Sequence, residues 1–134
     1  MSAWSHLPNA AHIDAVLEDV RARPEVWAAA GEATWGAAWS AVRGVAQSAA
    51  RRTTQTALRT EVWGILWRSV QGTSSDAARG AARDTIHALI SWDESTALLD
   101  LTPDALRTII DVADGDVKHQ AVLLLPAVIA RSTE

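Results

Sequence analysis

From Ala29 to Ala88 the chain divides into fifteen consecutive tetrapeptides without a gap, and that period decides which folds are open to it. A spacing of four cannot serve a strand that alternates its faces, whereas on an α-helix it lines residues up along one i to i+4 ridge. The third position of each tetrad is the large one. It reads Gly31, Trp35, Trp39, Arg43, Gln47, Arg51, Gln55, Arg59, Trp63, Trp67, Gln71, Ser75, Arg79, Arg83 and His87. Ala fills fourteen of the thirty first and second positions, and the fourth position holds five of the seven glycines. Small, small, large, small predicts helices whose ridges lie between alanine grooves and pack closely.

Four residues turn an α-helix by roughly 400°, so the ridge drifts about 40° with each tetrad. On a continuous helix with Trp35 at zero, Trp27 and Trp63 fall at about −80°, Trp67 at about −40° and Trp39 at about +40°. Trp27, Trp35, Trp39, Trp63 and Trp67 then share one face, the expected surface for packing or self-association. Arg43, Gln47, Arg51, Gln55 and Arg59 fall between about 80° and 240°, on the opposite side, as candidate partner-binding residues. No Pro or Gly interrupts Val45 to Trp63. A long central helix over about 24–71 follows, either continuous or broken near Arg52 to Thr56, where Thr53, Thr54 and Thr56 cluster.

The flanks supply shorter helices. Asn9 is a candidate N-cap, and Ile13, Val16, Leu17 and Val20 repeat at helical spacing, giving a helix over about 9–22. Pro24 and Glu25 suit the first turn of the next. Ser74 or Ser75 caps a helix over about 75–91, and a short helical turn covers Glu94 to Leu99. Thr102, Pro103 and Asp104 open a helix over about 103–113, Asp114-Gly115-Asp116 turns the chain, and a last helix over about 117–131 bends at Pro126. The expected class is an all-α helical bundle, with residues 1–134 forming one domain.

Hydrophobic residues make up 49% of the chain, but 27 of its 134 residues are Ala and there is no Phe or Tyr. The seven Trp, with Leu, Ile and Val, must therefore supply the bulk of any core. Without cysteine, disulfides, thiolate zinc sites and thiol nucleophiles are excluded. The strongly apolar run Ala121 to Ala130 is ten residues long and holds Pro126, short of the roughly 20 needed to cross a bilayer. No membrane role is expected. The start of the sequence lacks the basic residues and apolar run of a signal peptide, so a cytoplasmic product is expected.

Net charge is −4, yet residues 41–83 carry seven Arg against Glu61 and Asp76, which is +5 and leaves −9 for the remainder. Such asymmetry suits a basic contact surface or internal pairing between an acidic periphery and a basic centre. The Arg/Gln stripe offers donors for phosphates or carboxylates. A solvated face is its plain reading. An acidic protein surface, including that of a second copy, comes next. Nucleic acid comes last, because the total charge is negative and no helix-turn-helix, zinc or RNA-binding signature accompanies the stripe.

No catalytic, metal or cofactor site is expected. His6, His12 and Asp14 lie close in sequence, but the i, i+6 histidines do not share a helix face. Asp111, Asp114 and Asp116 around Gly115 lack the alternation and closing Glu of a calcium loop. His87 and His119 read as surface or interface residues, and no nucleophile motif or phosphate-binding glycine loop is present.

The tetrads of Ala28 to Ala88, with Pro8-Asn9-Ala10-Ala11-His12-Ile13-Asp14 before them, resemble uncharacterised Ala/Trp tetrapeptide-repeat proteins associated with bacteriophages. The segments Ala88-Leu89-Ile90-Ser91-Trp92-Asp93, Leu98-Leu99-Asp100 and Pro103-Asp104-Ala105-Leu106-Arg107 extend the likeness. The resemblance implies a phage or bacterial product and carries no functional residues with it. This chain departs from Asp-rich tetrads in having Gly, Ser, Thr and Arg at many fourth positions. The leading expectation is a non-catalytic helical interaction or assembly protein, a homo-oligomer or the partner of another protein, in a phage structural or accessory role. A small regulatory binder of nucleic acid or an acidic protein is the second reading, and a helical enzyme the third.

Overall fold

The longest apolar run of the chain becomes a helix buried by several others. A computed structural model describes residues 4–34, 42–51, 64–68 and 76–132, and the protein is all-α, with no strand among them. In chain order the helices are α1 (Ala10–Ala22), α2 (Pro24–Ala33), α3 (within 42–51), α4 (within 64–68) and α5 (Asp76–Ser91). A 3-10 turn, Asp93–Ser95, then leads to α6 (Thr96–Leu99), α7 (Pro103–Val112) and α8 (Gly115–Ser132). Every residue of α8 from Gln120 to Val128 is buried, as befits a helix apolar all round. It packs against α2, α5, α6 and α7. The helix continues through Pro126, whose ring nitrogen has no hydrogen to offer the Val122 carbonyl. At its head Gly115 takes φ +68°, a left-handed conformation that glycine adopts without a Cβ clash.

Of the two forms expected for the helix over about 24–71, the continuous one does not form. The chain leaves α2 at Thr34, where the backbone N–H and the hydroxyl both donate to the Gly31 carbonyl, at 3.2 and 2.7 Å. That hydroxyl gives the last turn an alternative to a further helical bond. The other expected break, near Arg52 to Thr56, lies outside the described residues.

Within these short helices the tetrad is oriented differently from the large-residue ridge expected. Its second position faces the core: Ala30, Thr34, Ala46, Ala50, Leu66, Ala78, Ala82 and Ile86 are buried, and Val42 is half-buried. Apart from Gly31, no described third position is fully buried. Within any one described stretch the second positions number at most three, a drift of about 80°, which keeps the column on its face. The second column thus stays inside and the bulky third column lies along the boundary.

Small residues let α2 and α5 approach one another closely. A Cβ added to Gly31 would stand 2.8 Å from the backbone oxygen of Ala77, closer than side-chain carbons come. Across this contact lie the buried Ala78 and Ala81 of α5.

Three tryptophans anchor the remaining core. Trp27 is 1% exposed and its indole N–H donates to Asp19 Oδ2 at 2.8 Å, while Trp4 donates to Asp14 Oδ1 at the same distance. Trp92 is buried at the end of α5. Asn9 occupies the cap position of α1, but its side chain makes no capping bond there. Instead its buried amide donates to the carbonyls of Leu89 at 2.9 Å, Asp93 at 3.2 Å and Trp92 at 3.5 Å. It satisfies acceptors that the end of α5 would otherwise leave open. Thr102 does cap α7 as expected, its hydroxyl accepting from the Ala105 N–H at 3.1 Å.

Replacing Gly31 by Ala gains helix propensity of about 1 kcal/mol but forces the α2–α5 contact apart, at a cost of about 1–3 kcal/mol. We expect a net loss of stability in urea denaturation; a Gly31→Ala variant as stable as the wild type would show that this contact can relax.

Candidate functional site

Two third-position columns meet between α3 and α5. Arg43, Gln47 and Arg51 follow one another at i, i+4 along α3, and Arg83 and His87 do so along α5. Between them stands Asp84, whose side chain is 4% exposed. Arg43 Nε donates to Asp84 Oδ2 at 2.5 Å and Gln47 Nε2 to Oδ1 at 2.9 Å. Ser91 adds a further tie, its hydroxyl donating to the Ala50 carbonyl at 3.0 Å. Arg43 and Gln47 are thus not part of a solvated face, because α3 turns them toward α5.

The columns enclose a surface cavity of about 160 Å³ lined by Arg43, Gln47, Arg51, Arg83, Asp84 and His87, with Gly80 at one side. Three guanidinium groups and one carboxylate line it, so the walls are cationic. Next to it the Arg83 guanidinium lies over the Trp67 ring, 4.8 Å from its centroid, and Trp67 meets the His87 ring at 5.3 Å with a 43° tilt. A cation over an indole face is held electrostatically by the ring quadrupole. Trp67 therefore braces the Arg83 side chain.

Burial pushes the Asp84 carboxyl above its ordinary value, against the opposing pull of its bonds to Arg43 and Gln47. His87 is driven down to about 4, first by burial and then by the charges of Arg83 and Arg51. It is neutral at pH 7, and the cavity's cationic character comes from arginine alone. Such walls can hold carboxylates or phosphates by charge-assisted hydrogen bonds.

Of the residues singled out in the sequence, Trp27 is core, Trp67 is half-buried beside the cleft, and Arg43, Gln47 and Arg51 line it. Trp35, Trp39, Trp63, Gln55 and Arg59 lie outside the described residues. His87 is a cleft residue rather than a surface one. Asp84 and Arg83 escaped the sequence reading, although the shared third-position register of Arg43, Arg83 and His87 was a signal that those columns could meet. Among the described residues no group of acidic and histidine side chains is placed to hold a metal ion.

Truncating Arg43 to Ala leaves the buried Asp84 charge with Gln47 and should cost about 3 kcal/mol at pH 7. The loss should shrink at a lower pH, because burial makes this carboxyl take up a proton more readily than an ordinary aspartate. Urea denaturation of both proteins at the two pH values checks this, and an equal loss at both would contradict it.

His87 sets a second pH dependence. The unfolded chain takes up this proton near pH 6.5 and the folded one only near 4. Stability present above pH 6.5 is lost as pH falls through that interval, by about 3 kcal/mol at the limit. His87→Gln should flatten this part of the stability profile, and a variant that keeps the wild-type slope would show that another group is responsible.

No protein-family model, curated protein or solved structure matches the chain.

Proposed function

We infer that the chain is a non-catalytic helical interaction module whose Arg43–Arg51–Arg83 cleft takes an acidic group from a partner protein. The carrying observation is the cavity itself: three guanidiniums gathered by two helices around one buried carboxylate, with Arg83 braced on Trp67. Guanidinium forks that are already positioned lose less side-chain entropy when they engage a carboxylate. The overall charge of −4 disfavours an extended polyanion such as nucleic acid, while a local acidic side chain meets only the cationic walls. The likeness of the tetrads to bacteriophage-associated repeat proteins supports a phage structural or accessory setting for this role.

Self-association is a second reading with its own support. At the corner between α7 and α8, Val112 is 75% exposed and Val117 50%, among the exposed carboxylates of Asp111, Asp114 and Asp116. An acidic and apolar corner of this kind is what the cleft of another copy would accept.

A labelled glutamate-rich peptide should bind at low ionic strength, and its affinity should fall as salt is added. The Arg51→Gln/Arg83→Gln double variant should weaken it by about tenfold or more. Binding that ignores both changes would overturn the proposal, as would duplex DNA of similar charge binding more tightly than the peptide. In the same buffers, light scattering that gives a dimer or larger species, lost in the double variant, would identify a second copy as the partner.

A further inference from the structure

A second cavity, of about 340 Å³, opens where α1, α2, α6 and α8 come together, and it shares no residue with the Arg43–Asp84 cleft. Its volume lies at the lower end of the range, roughly 300–1,000 Å³, typical of small-molecule sites. The apolar walls are Val16, Leu99, Ala127 and Trp27, all buried within the fold. Of these, Val16 and Leu99 keep the most accessible surface, and an apolar body would lie against them first.

The polar groups at this cavity, His12, Asp19, Arg23, Trp27 and Arg131, are unequal in what they have left to offer. Asp19 accepts from Arg23 Nε at 2.8 Å, Arg23 Nη2 at 2.7 Å and the Trp27 indole at 2.8 Å, so its charge is already engaged by three donors. These bonds hold the carboxyl below the ordinary aspartate range, the Arg23 bond foremost, and it remains ionised. Arg23 spends its fork on Asp19 and reaches the Ala130 carbonyl at 3.4 Å. Trp27 has no second N–H. Arg131 differs. It stands at the end of α8 with a side chain 49% exposed, donates Nη1 to the Leu99 carbonyl at 3.3 Å, and meets Asp100 only at 3.9 Å. Asp100 is 81% exposed, where water competes for such a pair. A guanidinium carries five N–H donors, so this arrangement leaves capacity for an incoming acceptor.

We propose that this cavity is a binding site for a small amphipathic monocarboxylate, its apolar body against Val16, Leu99, Ala127 and Trp27 and its carboxylate on Arg131. The chemistry narrows the class from three sides. A cationic ligand finds the one acidic wall group, Asp19, already engaged and two guanidiniums facing it. A phosphate dianion calls for several converging donors, and the Arg23 fork is committed elsewhere. A neutral apolar compound would leave the remaining Arg131 donors to water and gain nothing from them. A monoanion with a compact apolar body meets each of these conditions.

Calorimetric titration and ¹H–¹⁵N spectra with octanoate and phenylacetate, each paired with its neutral amide, test the site on the full chain. Both acids should bind with a dissociation constant on the order of 1 mM or tighter and shift the Trp27 indole N–H resonance, the amides at least about tenfold more weakly. Arg131→Met, a change at a half-exposed position that keeps the aliphatic stem, should lose about tenfold in affinity for the acids and leave the amides unchanged. Ala15→Leu, on the exposed rim of α1, should obstruct the mouth and weaken both classes while keeping Arg131. No binding at about 10 mM would overturn the proposal. Amides binding as well as acids, or an Arg131→Met protein binding acids as tightly as the wild type, would overturn it too.

Discussion

A carboxylate set among alanines has to keep its hydrogen-bond partners, and Asp84 imposes that condition on the helices around it. The Arg43 and Gln47 side chains reach it from α3, so their i, i+4 spacing fixes which side of α3 meets α5. Alanine surfaces alone would leave that orientation weakly defined, since one alanine column packs much like another. The polar pair selects one rotation, and the same rotation brings Arg51 toward Arg83 and His87. Orientation and cleft thus have one origin. The arrangement has an energetic edge as well, because a buried charge stabilises only while its partners remain in place.

The helical class and several helices were legible in local signals. The Thr102-Pro103-Asp104 start, the apolar spacing of Ile13, Val16, Leu17 and Val20, and the turn around Gly115 each rest on interactions within a few residues, and each forms accordingly. The tetrad was legible as a packing device but not in its phase. The large residues stand in the third column, whereas the column that enters the core is the second, built mainly of Ala with Thr34, Leu66 and Ile86. The reason lies in geometry: a helix that stops at Thr34 never accumulates the rotation that would have separated a tryptophan face from an arginine face.

What stayed hidden depends on contacts between distant positions. Asp84 reads locally as one more fourth-position residue, and only the approach of α3, about forty positions earlier, makes it a buried partner for arginine. Trp4 and Trp92 lie outside the repeat and have no periodic signal, yet both enter the core because the elements around them close over their rings. The candidate monocarboxylate cavity draws on α1, α2, α6 and α8 together, and no single window of sequence holds its wall.

Asn9 brings a consequence for how the molecule opens. Its amide connects the head of α1 with carbonyls at the end of α5, some eighty positions away along the chain. Once it lets go, the carbonyls of Leu89, Trp92 and Asp93 lose a donor together. The first turn of α1 and the exit of α5 accordingly behave as one cooperative unit although they are far apart in sequence. Amide protons in both places would share a single opening event, and fraying at the beginning of the chain would register at its middle.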